Sequence, residues 1–233
     1  MTMTRFMCAF AAALLLTPAC HERNEATGGI VGPTPHQPVN PVEREPVRDF
    51  DGNSYRTVQI GGQVWMAESL RSRHYADGAP LESVVRDGDE ANAVVYGRLY
   101  RAAEARRNAP QTASVPSGVQ GACPSGWHLP SEPEWQVLVD ALGGSSVAGG
   151  KLKETGTEHW DPPNSGATNE SLFTARAAGL LGMPFLQFEG GGRRVYFRST
   201  GDMSLMLDTA WISSRMGGIH PEDSASVRCL RDR

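Results

Sequence analysis

The chain has 233 residues, a formal net charge of −4, 26 glycines and 16 prolines. This length favours one substantial domain, and the many glycines and prolines favour short elements and loops over a helical bundle. The acidic balance and the lack of a long basic run argue against a nucleic-acid partner, because binding to phosphates requires a basic surface.

Residues 1–19 are predicted to be an export signal and not part of the fold. Arg5 precedes the apolar run FMCAFAAALLL, which is too short to cross a membrane as a helix of about 20 residues. The next residues, LTPAC, resemble the bacterial lipobox and predict that Cys20 is lipidated. Its acyl chains together would form a stable membrane anchor. The alternative is ordinary secretion with cleavage near Ala19.

Residues 20–48 are predicted to be a disordered tether. They are rich in Pro, Gly, Asn and Glu and contain few large apolar side chains, so they cannot offset the entropy lost on ordering. Their prolines favour an extended chain. A lipid, a tether and a domain at 49–233 predict a lipid-anchored protein of the cell envelope. His21 in place of Asp after the lipidated cysteine favours the outer membrane or the cell surface.

Four cysteines are present, and each has a predicted role. Cys8 lies in the signal and Cys20 is the lipid site, which leaves Cys123 and Cys229 in the domain. In an exported protein two such cysteines are expected to pair as a disulfide. A metal site or a nucleophilic thiol is the alternative, but C-x-x-C, H-x-x-x-H and HExxH spacings are all missing.

Two β-hairpins are predicted over residues 49–70. Asp51-Gly52-Asn53 is typical of the first turn, and Gly61-Gly62 separates the second pair of strands. The spacing Asp49-x-Asp51-x-Asn53 is similar to the start of a calcium loop. Its glycine is misplaced, however, and position twelve is Ile60 where an EF-hand has Glu. We therefore interpret these acidic residues as turn formers.

A capped amphipathic helix is predicted at the end of the stretch CPSGWHLPSEPEW. Ser131 and Glu134 have the spacing of a capping box, and Gly143-Gly144 would end the helix. One helical face carries the apolar residues Trp135, Leu138, Val139 and Leu142. His128, which follows Trp127, is interpreted as a structural residue and not as a catalytic base.

The best candidate for a ligand site is the loop of residues 155–171. Its candidate ligand-binding residues are His159, Trp160, Asn164, Asn169 and Glu170. A sugar site combines planar polar groups with an aromatic face, and the oxygens of Asn169 and Glu170 could also hold calcium. The alternative is an ordered loop whose polar side chains bind their own backbone, with Trp160 covering the core. Asp208 and Trp211 are second-rank candidates.

Several blocks of the chain, in order, resemble the Fibrobacter succinogenes major paralogous domain. They are DGNSYRTVQIGGQVWMAESL, YGRLY, CPSGWHLPSEPEW, AGGKLKETGTEHW, SGATNESLFTA, TAWISS and SVRCLRD. The resemblance runs from about residue 48 to residue 232. Departures lie in residues 177–214, which are rich in Met and Leu, and at Ala210, where the family often has an aromatic residue.

This resemblance implies an α+β, C-type-lectin-like fold with short strands, few helices and many loops. It places the domain near the formylglycine-generating enzymes in fold. It also implies that an N-terminal hairpin lies near the C-terminal strand, and that a disulfide joins that strand to the Trp-containing block. Members are typically exported proteins or lipoproteins of bacterial envelopes.

The predicted function is therefore a lipid-anchored envelope protein whose lectin-like domain binds glycan or another extracellular polymer. The alternative is a non-catalytic structural or protein-interaction module of the envelope. No enzyme activity is expected. The formylglycine-generating relatives hold copper with a cysteine pair, whereas the two domain cysteines here are expected to form the disulfide and leave no other thiol, and no G-x-S-x-G elbow is present. A Ser-His-Asp arrangement depends on geometry and stays open. No cofactor is predicted, and calcium held by Asn169 and Glu170 is the alternative.

Overall fold

A computed structural model of the protein describes residues 40–232, which form the predicted mixed α+β fold. The helices are α1 (Ala91–Tyr96), α2 (Ala102–Arg106), α3 (Glu132–Ala141) and α4 (Ser145–Leu152). The strands are β1 (Val42–Arg48), β2 (Ser54–Ile60), β3 (Gln63–Met66), β4 (Leu99–Tyr100), β5 (Trp127–His128), β6 (Leu180–Gly182), β7 (Gln187–Glu189), β8 (Arg194–Arg198), β9 (Met203–Asp208), β10 (Ser214–Gly218), β11 (Ala225–Ser226) and β12 (Leu230–Arg231). Within this part of the chain, no helix has the length and apolar character needed to cross a membrane. The signal, the lipid site at Cys20 and residues 20–39 of the tether lie outside the described residues.

Two five-stranded sheets and one small hairpin make up the β structure. The first sheet has the order β1-β2-β3-β12-β5, the second has the order β10-β9-β8-β11-β4, and β6 pairs with β7. The C-terminal segment enters both sheets, since β11 lies in the second and β12 in the first. Leu230 of β12 is paired with Trp65 on one side and His128 on the other. As expected, the N-terminal hairpins therefore lie beside the C-terminal strand.

Both predicted hairpins are present, but the first begins inside the predicted tether. Strand β1 covers Val42–Arg48 and pairs antiparallel with β2, so the ordered domain begins before residue 49. The prediction of a tether was wrong here because β1 is almost entirely exposed. Backbone hydrogen bonds to β2 hold the strand. Because these bonds require no particular side chains, the sequence of β1 shows no hydrophobic pattern.

The acidic residues of the first turn serve the turn, as interpreted from the sequence. One oxygen of Asp49 accepts a hydrogen bond from the Asn53 backbone at 2.9 Å, and the other accepts from the Tyr55 hydroxyl at 2.6 Å. Asp51 accepts from the Ser72 hydroxyl at 2.9 Å. Local donors thus occupy the oxygens that a calcium loop would have supplied.

Helix α3 begins with the predicted capping box and carries the centre of the main core. Ser131 accepts from the Glu134 backbone, and the Glu134 side chain accepts from the Ser131 backbone at 2.9 Å. The buried Trp135 stacks on Trp65, with ring centroids 4.5 Å apart, and on Phe197 at 5.8 Å. These contacts pack the helix between the two sheets, where aromatic residues contribute large buried areas.

The predicted disulfide between Cys123 and Cys229 is present, with the two Cα atoms 5.8 Å apart. Both cysteines are fully buried, in a second apolar cluster that includes Trp127 and Tyr100. The bond joins the segment before β5 to the segment before β12.

Helix α4 was not predicted, because two adjacent glycines lower the helix propensity of the block AGGKL. Those glycines are needed for packing. A Cβ atom on Gly149 would lie 2.2 Å from the Ser213 carbonyl oxygen, and one on Gly150 would lie 2.3 Å from that of Gly166. The backbone of helix α4 therefore lies in direct contact with two loops, around residues 166 and 213.

Candidate functional site

The loop of residues 155–171 does not present an aromatic face to solvent. Trp160 is only 1% exposed, and its indole nitrogen donates to the Ala175 carbonyl oxygen at 2.8 Å. A sugar ring must stack on an accessible aromatic surface, so Trp160 cannot serve as predicted. It covers the core, which was the alternative interpretation.

His159 and Asn164 are also used inside the domain. The Nδ1 atom of His159 lies 2.6 Å from a carboxylate oxygen of Glu154. The Asn164 side chain donates to the carbonyl oxygens of Glu154 and Gly156, at 2.9 and 2.7 Å. Asn164 itself has φ of 42°, a left-handed conformation that Asn tolerates better than most residues. Both side chains hold the loop in shape.

Asn169 and Glu170 do not form a ligand set with the other predicted residues. The Asn169 side-chain oxygen accepts from the Thr174 backbone at 2.9 Å, as in a local turn. Glu170 is exposed and lies 3.6 Å from the Lys151 ammonium. Within residues 40–232, no group of three or more His, Cys, Asp or Glu side chains is arranged to hold a metal ion.

The two second-rank candidates, Asp208 and Trp211, each contact an arginine side chain. Asp208 is buried and pairs with Arg194 at 2.7 Å. Trp211 is half-buried, and the Arg215 guanidinium lies 3.9 Å from its ring centroid.

Lys153, which no sequence pattern singled out, is the buried cation of this region. Its ammonium donates to the carbonyl oxygens of Ser165, Asp208 and Trp211, at 2.9, 3.0 and 2.8 Å. Burial lowers the pKa of Lys153 to about 8. The side chain fastens three loop segments together, and the cation offers no free side for a ligand.

His128 lies between two carboxylates. Its Nε2 atom is 2.9 Å from Glu134 and its Nδ1 atom is 2.6 Å from Asp232. Burial alone lowers the pKa of His128, but the hydrogen bonds to Glu134 and Asp232 outweigh burial and raise that pKa. Burial likewise raises the pKa of Glu134, and bonds from His128 and Ser131 reverse the effect and lower it. Both ring nitrogens are occupied, which supports the structural interpretation of His128.

This cluster predicts a pH dependence of stability. Because the folded pKa of His128 is raised, its contribution is complete below the usual value of 6.5 and is lost as pH rises through the folded pKa. We expect the free energy of unfolding of the wild type, relative to His128→Gln, to fall above pH 6.5 by at most about 1.4 kcal/mol per pH unit. Urea unfolding at several pH values measures this difference. Parallel curves for the two proteins would contradict it.

The most exposed apolar surface belongs to the β6–β7 hairpin. Phe185 is 80% exposed and Leu186 is 65% exposed at its tip. Beside the tip is a groove of about 400 Å³, which we call the hairpin groove. It is lined by Glu82, Ser83, Val84, Arg101, Leu181, Met183, Leu186, Glu222 and Ser224. Large apolar side chains gathered on a surface often mark an interaction site.

The rim of the hairpin groove is acidic. Its one arginine, Arg101, lies 2.9 Å from Glu82 and 3.7 Å from Glu222, and 2.7 Å from Glu104 outside the groove. The two rim carboxylates, Glu82 and Glu222, against the one guanidinium of Arg101 leave a net negative rim around an apolar floor.

Comparison with known proteins gives one match. The family model described as the Fibrobacter succinogenes major domain matches residues 58–231, which is well over half of the chain. No curated protein and no solved structure matches the chain.

Proposed function

The chain belongs to the Fibrobacter succinogenes major domain family, and on this premise we propose that it is an exported, lipid-anchored, non-catalytic module that binds another protein at the cell envelope. Export and lipidation at Cys20 are supported by the apolar signal and the lipobox-like residues that precede the domain. The predicted location is the outer membrane or the cell surface. The lectin-like character of the fold remains an expectation from the family resemblance.

The observation that carries this proposal is the exposed apolar tip beside the hairpin groove. Burying Phe185 and Leu186 against a partner would remove apolar surface from water, which is the main favourable term in association. The carboxylates of Glu82 and Glu222 would then face the rim of the partner. The partner we infer has an apolar side chain for the groove and a flanking Lys or Arg for these acids.

The loop of residues 155–171 supports a glycan function less well. Its aromatic residue Trp160 is buried and its polar side chains bind the loop itself. Calcium binding by Asn169 and Glu170 has no further support in their contacts, since both side chains meet protein partners instead. The protein-interaction alternative from the sequence therefore becomes the preferred one.

A photo-crosslinking amino acid at position 185 of the full chain tests the proposal in cells of the native host. We expect one dominant protein adduct, and we expect Leu186→Asp on the same chain to reduce its yield at least about fivefold, as for a central contact. The matched control is the same amino acid at position 137 on helix α3, where Val137 is also exposed.

The identified partner must then be purified and its affinity measured. Exchanging Glu82 for Lys is expected to weaken binding about tenfold by placing like charges together. Equal adduct yields at positions 185 and 137, or an affinity that Glu82→Lys leaves unchanged, would contradict the proposal. An adduct with a second copy of this chain would show self-association instead.

A further inference from the structure

Arg228 is a buried cation with no carboxylate partner among the described residues. It is 1% exposed, and its guanidinium donates to the carbonyl oxygens of Met66 and Phe173, at 3.1 and 2.5 Å, and of Thr174 at 3.1 Å. Burial lowers the pKa of Arg228 to about 9. These neutral acceptors satisfy its N–H groups, but they do not neutralise its charge.

Three further arginines line the same cavity. The cavity has a volume of about 30 Å³ and is bounded by Arg56, Ala67, Glu68, Ser69, Arg71, Val94, Val95, Gly97, Thr174, Arg176 and Arg228. Four guanidinium groups against the single carboxylate of Glu68 leave a net charge of +3 on its walls. We call it the arginine pocket.

The existing partners of these arginines leave much of this charge uncompensated. Arg71 donates to the Ser54 carbonyl oxygen and stacks on the Tyr55 ring, with no carboxylate in contact. The side chain of Arg56 is half exposed, and its ion pairs with Glu68 and Glu43 are long, at 3.6 and 3.8 Å. Arg176 is the exception, since Glu154 lies outside the cavity wall at 2.8 Å from it. Weakly paired like charges repel one another, and an anion that joins the cluster relieves this repulsion.

We propose that the arginine pocket binds the carboxylate of a uronate residue in an acidic glycan. A cavity of this volume holds about two water-sized groups, which matches two carboxylate oxygens better than the three free oxygens of a phosphate monoester. Guanidinium groups recognise carboxylates through paired N–H donors in one plane. Arg56 and Arg71 would supply these donors, because the N–H groups of Arg228 already meet carbonyl oxygens. The ligand enters a site distinct from the hairpin groove, with which it shares no lining residue.

The rim of the arginine pocket favours a sugar over an acidic peptide. Ser69 and Glu68 offer a hydroxyl and carboxylate oxygens to sugar hydroxyls, and Val94, which is 74% exposed, offers an apolar surface to a ring face. The apolar contribution of the rim is small.

Isothermal titration of the full-length chain in non-ionic detergent tests the assignment. The probes are a trimer of galacturonate and the matching neutral trimer of galactose. We expect binding of the acidic trimer only, weakened about tenfold by Arg56→Gln through loss of one charge-assisted contact. Glu68→Gln should have the opposite effect and tighten binding, because it removes the one acid in the pocket.

Arg44→Gln is the matched control, since Arg44 lies exposed on β1, bonded to Gln59 and outside the pocket. It removes the same charge and should leave affinity unchanged. Equal losses for Arg44→Gln and Arg56→Gln, equal binding of the neutral trimer, or no binding at all would overturn the proposal. Binding of a polyglutamate peptide or of inorganic sulfate in place of the acidic trimer would overturn the choice of a uronate. Circular dichroism melting of each variant verifies that the fold is kept.

Discussion

Replacing Cys123 and Cys229 together by alanine is expected to lower the free energy of unfolding by about 2–5 kcal/mol. The two cysteines are 106 positions apart, so their bond closes a long loop and restricts the unfolded chain. The bond also lies in a buried cluster between the segments that lead into β5 and β12. Urea unfolding of the oxidised wild type and of the variant gives the difference.

Reduction of the wild type is the control for this experiment. A thiol reductant should bring the wild type close to the stability of the double alanine variant, and it should leave that variant unchanged. A difference below about 1 kcal/mol between oxidised and variant proteins would show that the cross-link adds little, as strained engineered disulfides often do.

Lys153→Met is the second change with a large expected effect, a loss of about 1–3 kcal/mol in the free energy of unfolding, because buried carbonyl oxygens lose a donor. Methionine keeps a similar volume but cannot donate to the carbonyl oxygens of Ser165, Asp208 and Trp211. Buried acceptors without donors carry their full desolvation penalty. The three segments that meet at Lys153 should also become more open to amide hydrogen exchange.

Lys151→Met is the matched control on the same helix. Its side chain is partly exposed and its ammonium pairs with Glu170, at 3.6 Å, so a change within about 0.5 kcal/mol is expected. If Lys153→Met were as mild as Lys151→Met, the carbonyl oxygens would have found water, and the proposed role of Lys153 would be wrong.

Predictions from the sequence succeeded where neighbours along the chain supply the contacts. The cap of α3 depends on Ser131 and Glu134, three positions apart, and the first turn depends on Asp49 and Asn53, four positions apart. Such contacts form wherever these residue types recur at that spacing. The disulfide was predictable for another reason, because the domain contains two cysteines and therefore offers one pairing.

Predictions failed where distant segments decide the environment of a residue. Strand β1 looked like tether because its pairing with β2 leaves no apolar pattern. Helix α4 was missed because its glycines accommodate loops around residues 166 and 213, which local propensity does not include. Trp160 looked available to a sugar because composition does not report burial.

The sequence by itself determined the two hairpins, the capped helix α3 and the Cys123–Cys229 bond, since each follows from local chemistry or from a unique pairing, and it indicated the α+β class through the family resemblance. Only the tertiary structure decided which polar groups are free to act. Tertiary packing places Trp160 in the core and encloses Lys153 among carbonyl oxygens. It also brings Arg56 and Arg228 to one cavity. The physical reason is that desolvation and charge density depend on residues brought together in space from far apart in the chain, and one-dimensional patterns carry no record of that proximity.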